Sequence, residues 1–394
     1  MLAPVLAQPQ GEFSGAPKRR QYLSAFKEIG MALCAGDWVE VRSREEILRT
    51  LDKNGRLENM PFMPEMFAYC GKRIRVYKRA HKACDTINPI SSRRLPNSVL
   101  LGNLRCNGAA HGGCQAQCAI FWKEAWLKPL ANDGTSGGMA ETATKNEAAT
   151  NAGCTEADVW KAAKAEGQPS DQARYRCQAT DFPLYTTRLR LRHVDQYLED
   201  YRSGNVTLKE MFQTGCYFLF KFIGRPKWEA DGGTYAKLYD WFQHLRGGLP
   251  YPRRRGKLQA GEEQPLVTLN LQPGEYVRVK SYEEILATIN SDNKNRGLYF
   301  DAEMVPYCGG VFRVRSRVER FLDEKTGLML TMKTPAVILE GGWCRSYYSE
   351  RRAFCPRAIY AWWREAWLER VPGGADGRLT SSYSGVPAGQ EVEK

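Results

Sequence analysis

The chain has 394 residues, a hydrophobic fraction of 43% and a charged fraction of 26%, as in ordinary globular proteins of two or three domains. Its net charge of +13 is compatible with an anionic partner, namely nucleic acid, a phosphorylated ligand or an acidic protein surface, but scattered surface lysines and arginines are the favoured explanation. The most apolar run, Cys216 to Gly224, is far shorter than the ~20 residues of a membrane-spanning helix, and the N-terminus lacks the order of a signal peptide. These observations predict a cytoplasmic protein without a membrane span, in which clustered cysteines favour metal or redox chemistry over disulfides.

The first elements after the N-terminal leader are short strands and one short helix. GDWVEVRS alternates apolar and polar residues and predicts a strand. SREEILRTLD predicts a helix, because Ser43 and Glu46 have the spacing of a capping box. Further strands are predicted at Lys72–Arg79 and Ser98–Leu101, directly before the cysteine-rich stretch Leu104–Lys128.

The same order of elements recurs in the last third of the chain. The two copies match without a gap over about seventy residues, and the second copy then becomes three residues longer, which favours a duplicated domain. Three pairs of cysteines fix this alignment: Cys70 with Cys308 and Cys106 with Cys344, both 238 positions apart, and Cys114 with Cys355, 241 positions apart.

The composition changes between the two copies. Residues 131–153 are of low complexity and predict a flexible linker, while residues 154–248 contain several amphipathic segments and predict a helical insert. The predicted organisation is a disordered leader (1–30), a first repeat (31–130), the linker (131–153), the insert (154–248), a basic linker (249–265), a second repeat (266–372) and a disordered tail (373–394).

Four or five short strands and one helix in each copy predict an α+β protein, with two homologous small SH3-like β-barrels flanking the helical insert. The segment Tyr-Cys-Gly before an alternating strand resembles the KOW-type barrels of translation factors and of the nitrile hydratase β subunit. From Gly36 to Val371, the motifs FMPEM, YCG, AHGGCQA, RCQAT and CPRAIY resemble an uncharacterised bacterial family of tandem-repeat, cysteine-rich proteins. This resemblance implies a shared architecture and no particular activity.

The paired cysteines are the main candidates for chemistry. We expect each copy to bring its three thiolates together as ligands of zinc or of an iron–sulfur cluster. The first copy adds three further candidate ligands, which are His111, Cys118 and Cys84. The equivalent positions of the second copy hold Arg352, Ile359 and Leu322. The second copy would therefore keep an open coordination position, as catalytic zinc sites do. The predicted metal ligands are Cys70, Cys84, Cys106, His111, Cys114, Cys118, Cys308, Cys344 and Cys355.

Two other interpretations of these thiols stay open at this point. In the first interpretation the thiols are plain core residues, because a buried cysteine behaves as a small hydrophobic side chain. Alternatively, each loop would carry a disulfide, Cys106–Cys114 in the first copy and Cys344–Cys355 in the second, which requires an oxidising site or a redox role.

Four further residues are interpreted from their positions. Cys154 and Cys177 have no partner in the other copy, which favours their interpretation as unrelated thiols; the alternative is that they complete a second site with Cys84 and Cys118. Glu65 and Glu303 stand at equivalent places before the first paired cysteine. A ligand or a base is one interpretation of these glutamates, but the sequence favours solvated loop carboxylates.

The alternative function is a tandem-barrel module that binds nucleic acid or a protein partner. KRIRVYKR and VFRVRSR alternate basic and apolar residues, which would make one barrel face strongly positive. The sequence lacks a phosphate-binding GxxxxGK[ST] loop, a dinucleotide fingerprint and a GxSxG elbow. It therefore names no reaction, and it leaves open whether the protein is an enzyme.

Overall fold

The computed structural model describes residues 33–88, 92–130, 153–165, 173–224, 234–245 and 248–371. The predicted leader (1–30), nearly all of the predicted flexible linker and the predicted tail (373–394) lie outside the described residues. Helices and strands both contribute to the described part, so the chain is of the α+β class.

The first predicted copy contains a five-stranded antiparallel sheet with the spatial order β8-β7-β4-β1-β9. Strand β4 alternates exposed arginines with buried Ile74 and Val76, which gives the sheet one apolar face. The strands of this half of the chain are β1 (Trp38–Val41), β2 (Arg56–Leu57), β3 (Met60–Pro61), β4 (Arg73–Arg79), β5 (Lys82–Cys84), β6 (Ser92–Arg94), β7 (Ser98–Arg105), β8 (Ala119–Lys123), β9 (Leu127–Pro129) and β10 (Thr187–Leu189).

The second predicted copy contains a sheet with the equivalent order, β16-β15-β14-β11-β17. Its strand register is also equivalent: Trp38 faces Arg75 in the first sheet, and Tyr276 faces Arg313 in the second. The strands of the second half are β11 (Tyr276–Val279), β12 (Lys294–Asn295), β13 (Leu298–Tyr299), β14 (Val311–Leu322), β15 (Met329–Trp343), β16 (Tyr360–Trp363) and β17 (Leu368–Arg370).

Both copies place a short helix after the first strand of the sheet. The predicted capping box of Ser43 and Glu46 is formed, and Ser281 and Glu284 form the same box in the second copy. Among the described residues, no helix has the length and apolar character needed to cross a membrane. The α-helices are α1 (Arg44–Leu48), α2 (Glu156–Ala162), α3 (Asp195–Arg202), α4 (Leu208–Gly224), α5 (Thr234–Leu245) and α6 (Tyr282–Leu286); 3-10 helices lie at Pro64–Tyr69, Glu124–Trp126, Phe182–Leu184, Ala302–Tyr307 and Glu365–Trp367.

The core of each sheet is built around buried tryptophans. Trp126 and Trp367, from the two Glu-Ala-Trp-Leu segments, are both fully buried. The Trp126 indole N–H donates to Thr50 Oγ1 at 3.1 Å, and the Trp367 indole N–H donates to Thr288 Oγ1 at 3.0 Å. Each indole therefore has a partner for its only donor, which buried tryptophans usually require.

The segment predicted as a helical insert is only partly helical, and it packs directly on the first sheet. Strand β10 pairs with β6, and Cys177, Phe182 and Tyr185 belong to the same apolar core as the strands of the first copy. Further along, Asp200 of α3 accepts a hydrogen bond from buried Lys82 at 2.6 Å. The insert therefore supplies side chains to the interior of the first copy.

The hairpin of β14 and β15 is the largest difference between the two sheets. Its strands have 12 and 15 residues, whereas β4 has 7 residues, so the hairpin extends beyond its own sheet towards the first copy. There the Gln115 N–H donates to the Arg320 carbonyl oxygen at 3.1 Å, and Gln117 Nε2 donates to Ser316 Oγ at 2.7 Å. Residues of the second copy are thus held against the cysteine-rich loop of the first.

Candidate metal centre

The cysteine-rich loop connects β7 to β8, and its ends are held together by the backbone. The Cys106 N–H donates to the Cys118 carbonyl oxygen at 2.9 Å, and within the loop the His111 N–H donates to the Gly108 carbonyl oxygen at 2.9 Å. Gly108 has a φ of +73°, and a Cβ atom there would lie 2.1 Å from the carbonyl oxygen of Cys114. The turn therefore requires glycine at this position.

Four cysteines line one cavity next to this loop. Cys106, Cys114 and Cys118 come from the loop itself, and Cys177 comes from the insert. The cavity has a volume of about 40 Å³, which is more than the ~10–15 Å³ that one water-sized sphere occupies. It therefore has room for a group of several atoms between the thiols.

A backbone N–H group donates to one of these sulfur atoms, since the Leu322 N–H donates to Cys114 Sγ at 3.4 Å. The backbone amide of Gly108 acts to lower the pKa of Cys106, and those of Ala179 and Thr180 act to lower the pKa of Cys177, although burial outweighs them. Hydrogen bonds of this kind stabilise a thiolate, and they are one of the features that set the potential of an iron–sulfur cluster.

The thiols nevertheless lie in surroundings that disfavour their ionisation. Burial raises the pKa of Cys177 to about 12, and it raises the pKa values of Cys106 and Cys118 well above the ordinary range. The neighbouring thiols contribute to these increases, because each thiolate repels the next one. A bound metal ion reverses this balance, since a coordinating thiol is deprotonated by the charge of the metal.

A buried carboxylate and an imidazole stand at the edge of the cavity. Glu65 lies on the 3-10 helix Pro64–Tyr69, and its Oε1 is 2.8 Å from His111 Nδ1 and 3.5 Å from Cys106 Sγ. Burial alone would raise the pKa of Glu65, but its interaction with His111 outweighs this effect and lowers it. Within the described ranges, Glu65, Cys106 and His111 form the only set of three His, Cys, Asp or Glu ligand atoms within 4.8 Å of one another.

The pairing of Glu65 with His111 resembles the outer shell of metal sites. A metal-binding histidine commonly donates its second ring N–H to a carboxylate, which fixes the tautomer and the orientation of the ring. His111 is 1% exposed, and its Nε2 has no hydrogen-bond partner among the described residues. A buried polar atom without a partner costs about 1–3 kcal/mol, so a ligand at Nε2 would recover free energy.

The same geometry argues against Cys106 acting as the nucleophile of a cysteine–histidine–glutamate triad. In such a triad, one ring nitrogen faces the nucleophile and the other faces the carboxylate. Here His111 Nδ1 faces both groups, with Cys106 Sγ at 3.9 Å and Glu65 Oε1 at 2.8 Å. The pKa of Cys106 is raised by burial, which further disfavours the thiolate that a nucleophile needs.

The equivalent glutamate of the second copy has a different role. Glu303 accepts hydrogen bonds from the Tyr348 N–H at 2.6 Å, the Tyr347 N–H at 3.2 Å and Ser349 Oγ at 3.0 Å. Burial raises its pKa to about 7. Arg352 replaces His111 in this copy, and among the described residues no three ligand atoms meet here within 4.8 Å. The carboxylate is occupied by its own loop, so the predicted open coordination site is not assembled.

Among the described residues, neither predicted triad places its three sulfur atoms within 4.8 Å of one another. Cys355 lies beside Cys84 of the first copy, whose N–H donates to the Cys355 sulfur at 3.1 Å, and Cys344 is an electrostatic neighbour of both. Cys70 and Cys308 instead follow the two equivalent 3-10 helices and line no part of the cavity. All twelve cysteines have free thiols, so the loop disulfides considered above are not formed.

Several residues at the site were not assigned from the sequence. Glu65 was interpreted as a solvated carboxylate, which is wrong, because its side chain is only 3% exposed. The sequence favours Cys177 as an unrelated thiol and predicts nothing for Glu324 and Arg357 of the second copy, although all three line the cavity. Two signals in the sequence point to Cys177, which are the alternative site with Cys84 and Cys118 and the motif RCQAT.

Comparison with known proteins adds no family to this description. No protein-family model matches the chain, and no curated protein matches it significantly.

Proposed function

We propose that the protein binds an iron–sulfur cluster through Cys106, Cys114, Cys118 and Cys177. The observation that carries this proposal is a single cavity lined by these four cysteines, with the Leu322 N–H donating to Cys114 Sγ at 3.4 Å. Four cysteines are the usual ligand set of a cubane or [2Fe–2S] cluster. The cavity volume of about 40 Å³ exceeds that of one water-sized sphere.

Zinc is the second candidate, because one observation favours it specifically. Glu65, Cys106 and His111 place their ligand atoms within 4.8 Å of one another, which is the scale of a single tetrahedral ion. Cys106 belongs to both sets, so the two candidates exclude each other in one molecule. The ligands of a cluster surround several atoms, so they lie further apart than the ligands of a single ion. The four cavity cysteines fit this, because no three of their sulfur atoms lie within 4.8 Å of one another.

A buried arginine supports an anionic metal centre at this position. Four thiolates around a cluster or a divalent ion leave a net negative charge, which is costly in a buried site. Arg357 is 3% exposed, lines the cavity and forms an ion pair with Glu324 at 3.2 Å. The pKa of Arg357 is raised, because the attraction of Glu324 and the nearby thiolates outweighs its burial. It would offset part of the charge of the centre.

The ligand set suggests the role of the centre within the protein. When four protein thiolates occupy all ligand positions, no position is left for a substrate. We therefore place the function in electron transfer or in structural support, as an accessory redox protein, rather than in catalysis at the metal. Free thiols are typical of a reducing compartment, which supports the cytoplasm as the location.

The equivalent strand order and register of the two sheets support a duplicated domain, for which we propose the SH3-like barrel class. The predicted domain boundaries and the resemblance to the bacterial tandem-repeat family stay predictions. The alternative function, nucleic-acid binding by the basic strands, has less support. Arg75 donates to the Gly36 carbonyl oxygen at 3.0 Å and Arg73 lies 3.8 Å from Glu40, so both are engaged within their own sheet.

The test is purification without oxygen, followed by metal analysis and an absorption spectrum. We expect a coloured protein with iron and acid-labile sulfide, and loss of both in Cys118→Ser. The matched control is Cys308→Ser, which also removes a largely buried thiol, but one outside the cavity. Zinc without iron would favour the second candidate. A colourless, metal-free protein with all four thiols freely titratable would contradict both.

A further inference from the structure

A basic cleft lies beside the thiol cavity and is separate from it. It has a volume of about 610 Å³, and the described residues that bound it are 53–56, 158–165, 174–181 and 325–327. Among these described residues, seven lysine or arginine side chains and two aspartates line the cleft. Its volume is within the ~300–1,000 Å³ of ordinary small-molecule sites.

The two aspartates of the cleft are already engaged. Asp181 forms an ion pair with Arg56 at 2.5 Å. Asp158 accepts hydrogen bonds from the Thr155 N–H and hydroxyl at 2.8 and 2.6 Å, as part of the capping box of α2. Asp181 is thus paired with Arg56, whereas Asp158 keeps its charge near Lys53 and Lys161. The seven cations less the two aspartates leave the described lining of the cleft with a net charge of +5.

Arg56 and Lys161 have partners, and the other five basic side chains of the cleft form no ion pair with a described residue. Across the described ranges, none of them has a carboxylate oxygen within the 4.0 Å of an ion pair. Unpaired cations that converge on one concave site create a positive potential, which attracts anions. These five side chains are those of Lys53, Lys164, Arg174, Arg176 and Lys325.

The central wall of the cleft is held in place by its backbone. The Tyr175 N–H donates to the Gly327 carbonyl oxygen at 2.9 Å, and on the other side the Arg176 N–H donates to the Ala163 carbonyl oxygen at 2.9 Å. Gly327 has a φ of +73°, and a Cβ there would lie 2.7 Å from the Tyr175 carbonyl oxygen. The two arginines on this wall are thus presented by a fixed segment, which lowers the entropy lost on binding.

We infer that this cleft binds a small molecule with two or more linked phosphate groups. Guanidinium groups form paired hydrogen bonds with phosphate oxygens, and lysines add point charges around them. A ligand with several linked phosphates can contact Arg174, Arg176 and Lys325 together, whereas a single phosphate reaches fewer of them. Enclosure by four chain segments fits a compact ligand, whereas a nucleic-acid strand needs an extended groove.

The cleft and the thiol cavity share one wall, although neither inference depends on the other. Cys177 directly follows Arg176, and it lines the cavity while Arg176 lines the cleft. The Tyr175 ring lies against the cysteine-rich loop, since a Cβ on Gly112 would approach it to 2.7 Å. A ligand in the cleft would therefore contact the segment that carries one of the proposed metal ligands.

Isothermal titration calorimetry of the full chain with inorganic tripolyphosphate tests this inference. We expect saturable binding at low salt that weakens as the salt concentration rises. Arg174→Gln and Lys325→Gln should each raise the Kd at least about tenfold, which corresponds to about 1.4 kcal/mol. The matched control is Arg192→Gln, which removes an exposed charge outside the cleft and should leave the Kd within about twofold.

Four outcomes would overturn the inference. Tripolyphosphate would show no saturable binding at millimolar concentrations, or both cleft variants would bind it as the unchanged protein does. Orthophosphate would bind as tightly as tripolyphosphate, or a single-stranded oligonucleotide would bind and resist displacement by tripolyphosphate. Circular dichroism of each variant confirms that the fold is retained, and a variant that is unfolded is replaced by Arg176→Gln for the same comparison.

Discussion

Two glycines of the cysteine-rich loop allow a sharp test of the site geometry. Gly108 and Gly113 have similar positive φ values of +73° and +78°. They differ in their surroundings, because a Cβ on Gly108 would lie 2.1 Å from the Cys114 carbonyl oxygen and 2.7 Å from its nitrogen, whereas a Cβ on Gly113 would have nothing within 4 Å. Replacing each by alanine therefore adds the same backbone strain but a different steric conflict.

The expected magnitudes follow from this difference. Left-handed backbone costs a residue with a Cβ roughly 1–2 kcal/mol, so Gly113→Ala should lower the free energy of unfolding by about that amount. Its loop can keep the present geometry, and its metal content should stay near that of the unchanged protein. Gly108→Ala adds a clash with backbone atoms that cannot rotate away. The loop must then move, which displaces Cys114 and the backbone next to Cys106.

The assay is metal content per chain, measured together with thermal unfolding for both variants. We expect Gly108→Ala to lose most of its metal and Gly113→Ala to retain it, although both melt at a lower temperature. If the two variants retained equal amounts of metal, then the close packing of the loop would not control the centre. The reasoning from loop geometry to thiol placement would be refuted.

Three further predictions concern single residues. Glu65 is a ligand of the zinc candidate and not of the four-cysteine cluster, so Glu65→Gln should leave the iron and sulfide content near that of the unchanged protein, and loss of most of the metal would favour the zinc candidate. Burial raises the pKa of Glu303 to about 7, so between about pH 4.5 and 7 the folded state holds a proton that the unfolded state has released. The free energy of unfolding should therefore fall by up to about 3 kcal/mol as the pH rises through this window. Glu303→Gln should remove most of this pH dependence in thermal unfolding. Thr50→Val and Thr288→Val should each cost about 1–3 kcal/mol in urea unfolding, because each leaves a buried indole N–H unpaired, and a cost in one copy alone would contradict their equivalence.

Local features of the fold could be predicted from the sequence. Ser43 and Glu46 are three residues apart, so their capping box depends on nothing beyond one helical turn. The alternation in KRIRVYKR likewise determined which side of β4 is buried. The equivalence of the two sheets in strand order and register appears in the sequence as an offset of 238 positions up to Cys106 and of 241 positions from Cys114 onwards.

The site depends on contacts between distant parts of the chain, and those could not be predicted. Cys177 reaches the cavity because the 3-10 helix Phe182–Leu184 packs on the first sheet, with the Phe182 ring against that of Phe121 in β8, and no local pattern encodes that packing. Leu322 reaches Cys114 because β14 is longer than its counterpart β4. The match between the two copies predicts a cysteine triad in each copy. In the structure, however, tertiary packing places Cys355 of the second copy next to Cys84 of the first.

The central claim is that thiols from the loop and from the insert hold one metal centre. Cys177 and Cys154 test this claim directly. Both are buried cysteines of the insert without a partner in the other copy, but of the two only Cys177 lines the cavity. The measurement is the iron, zinc and sulfide content of Cys177→Ser and Cys154→Ser, both purified without oxygen. We predict that Cys177→Ser loses the centre and Cys154→Ser keeps it. Equal metal content in the two variants would contradict the claim.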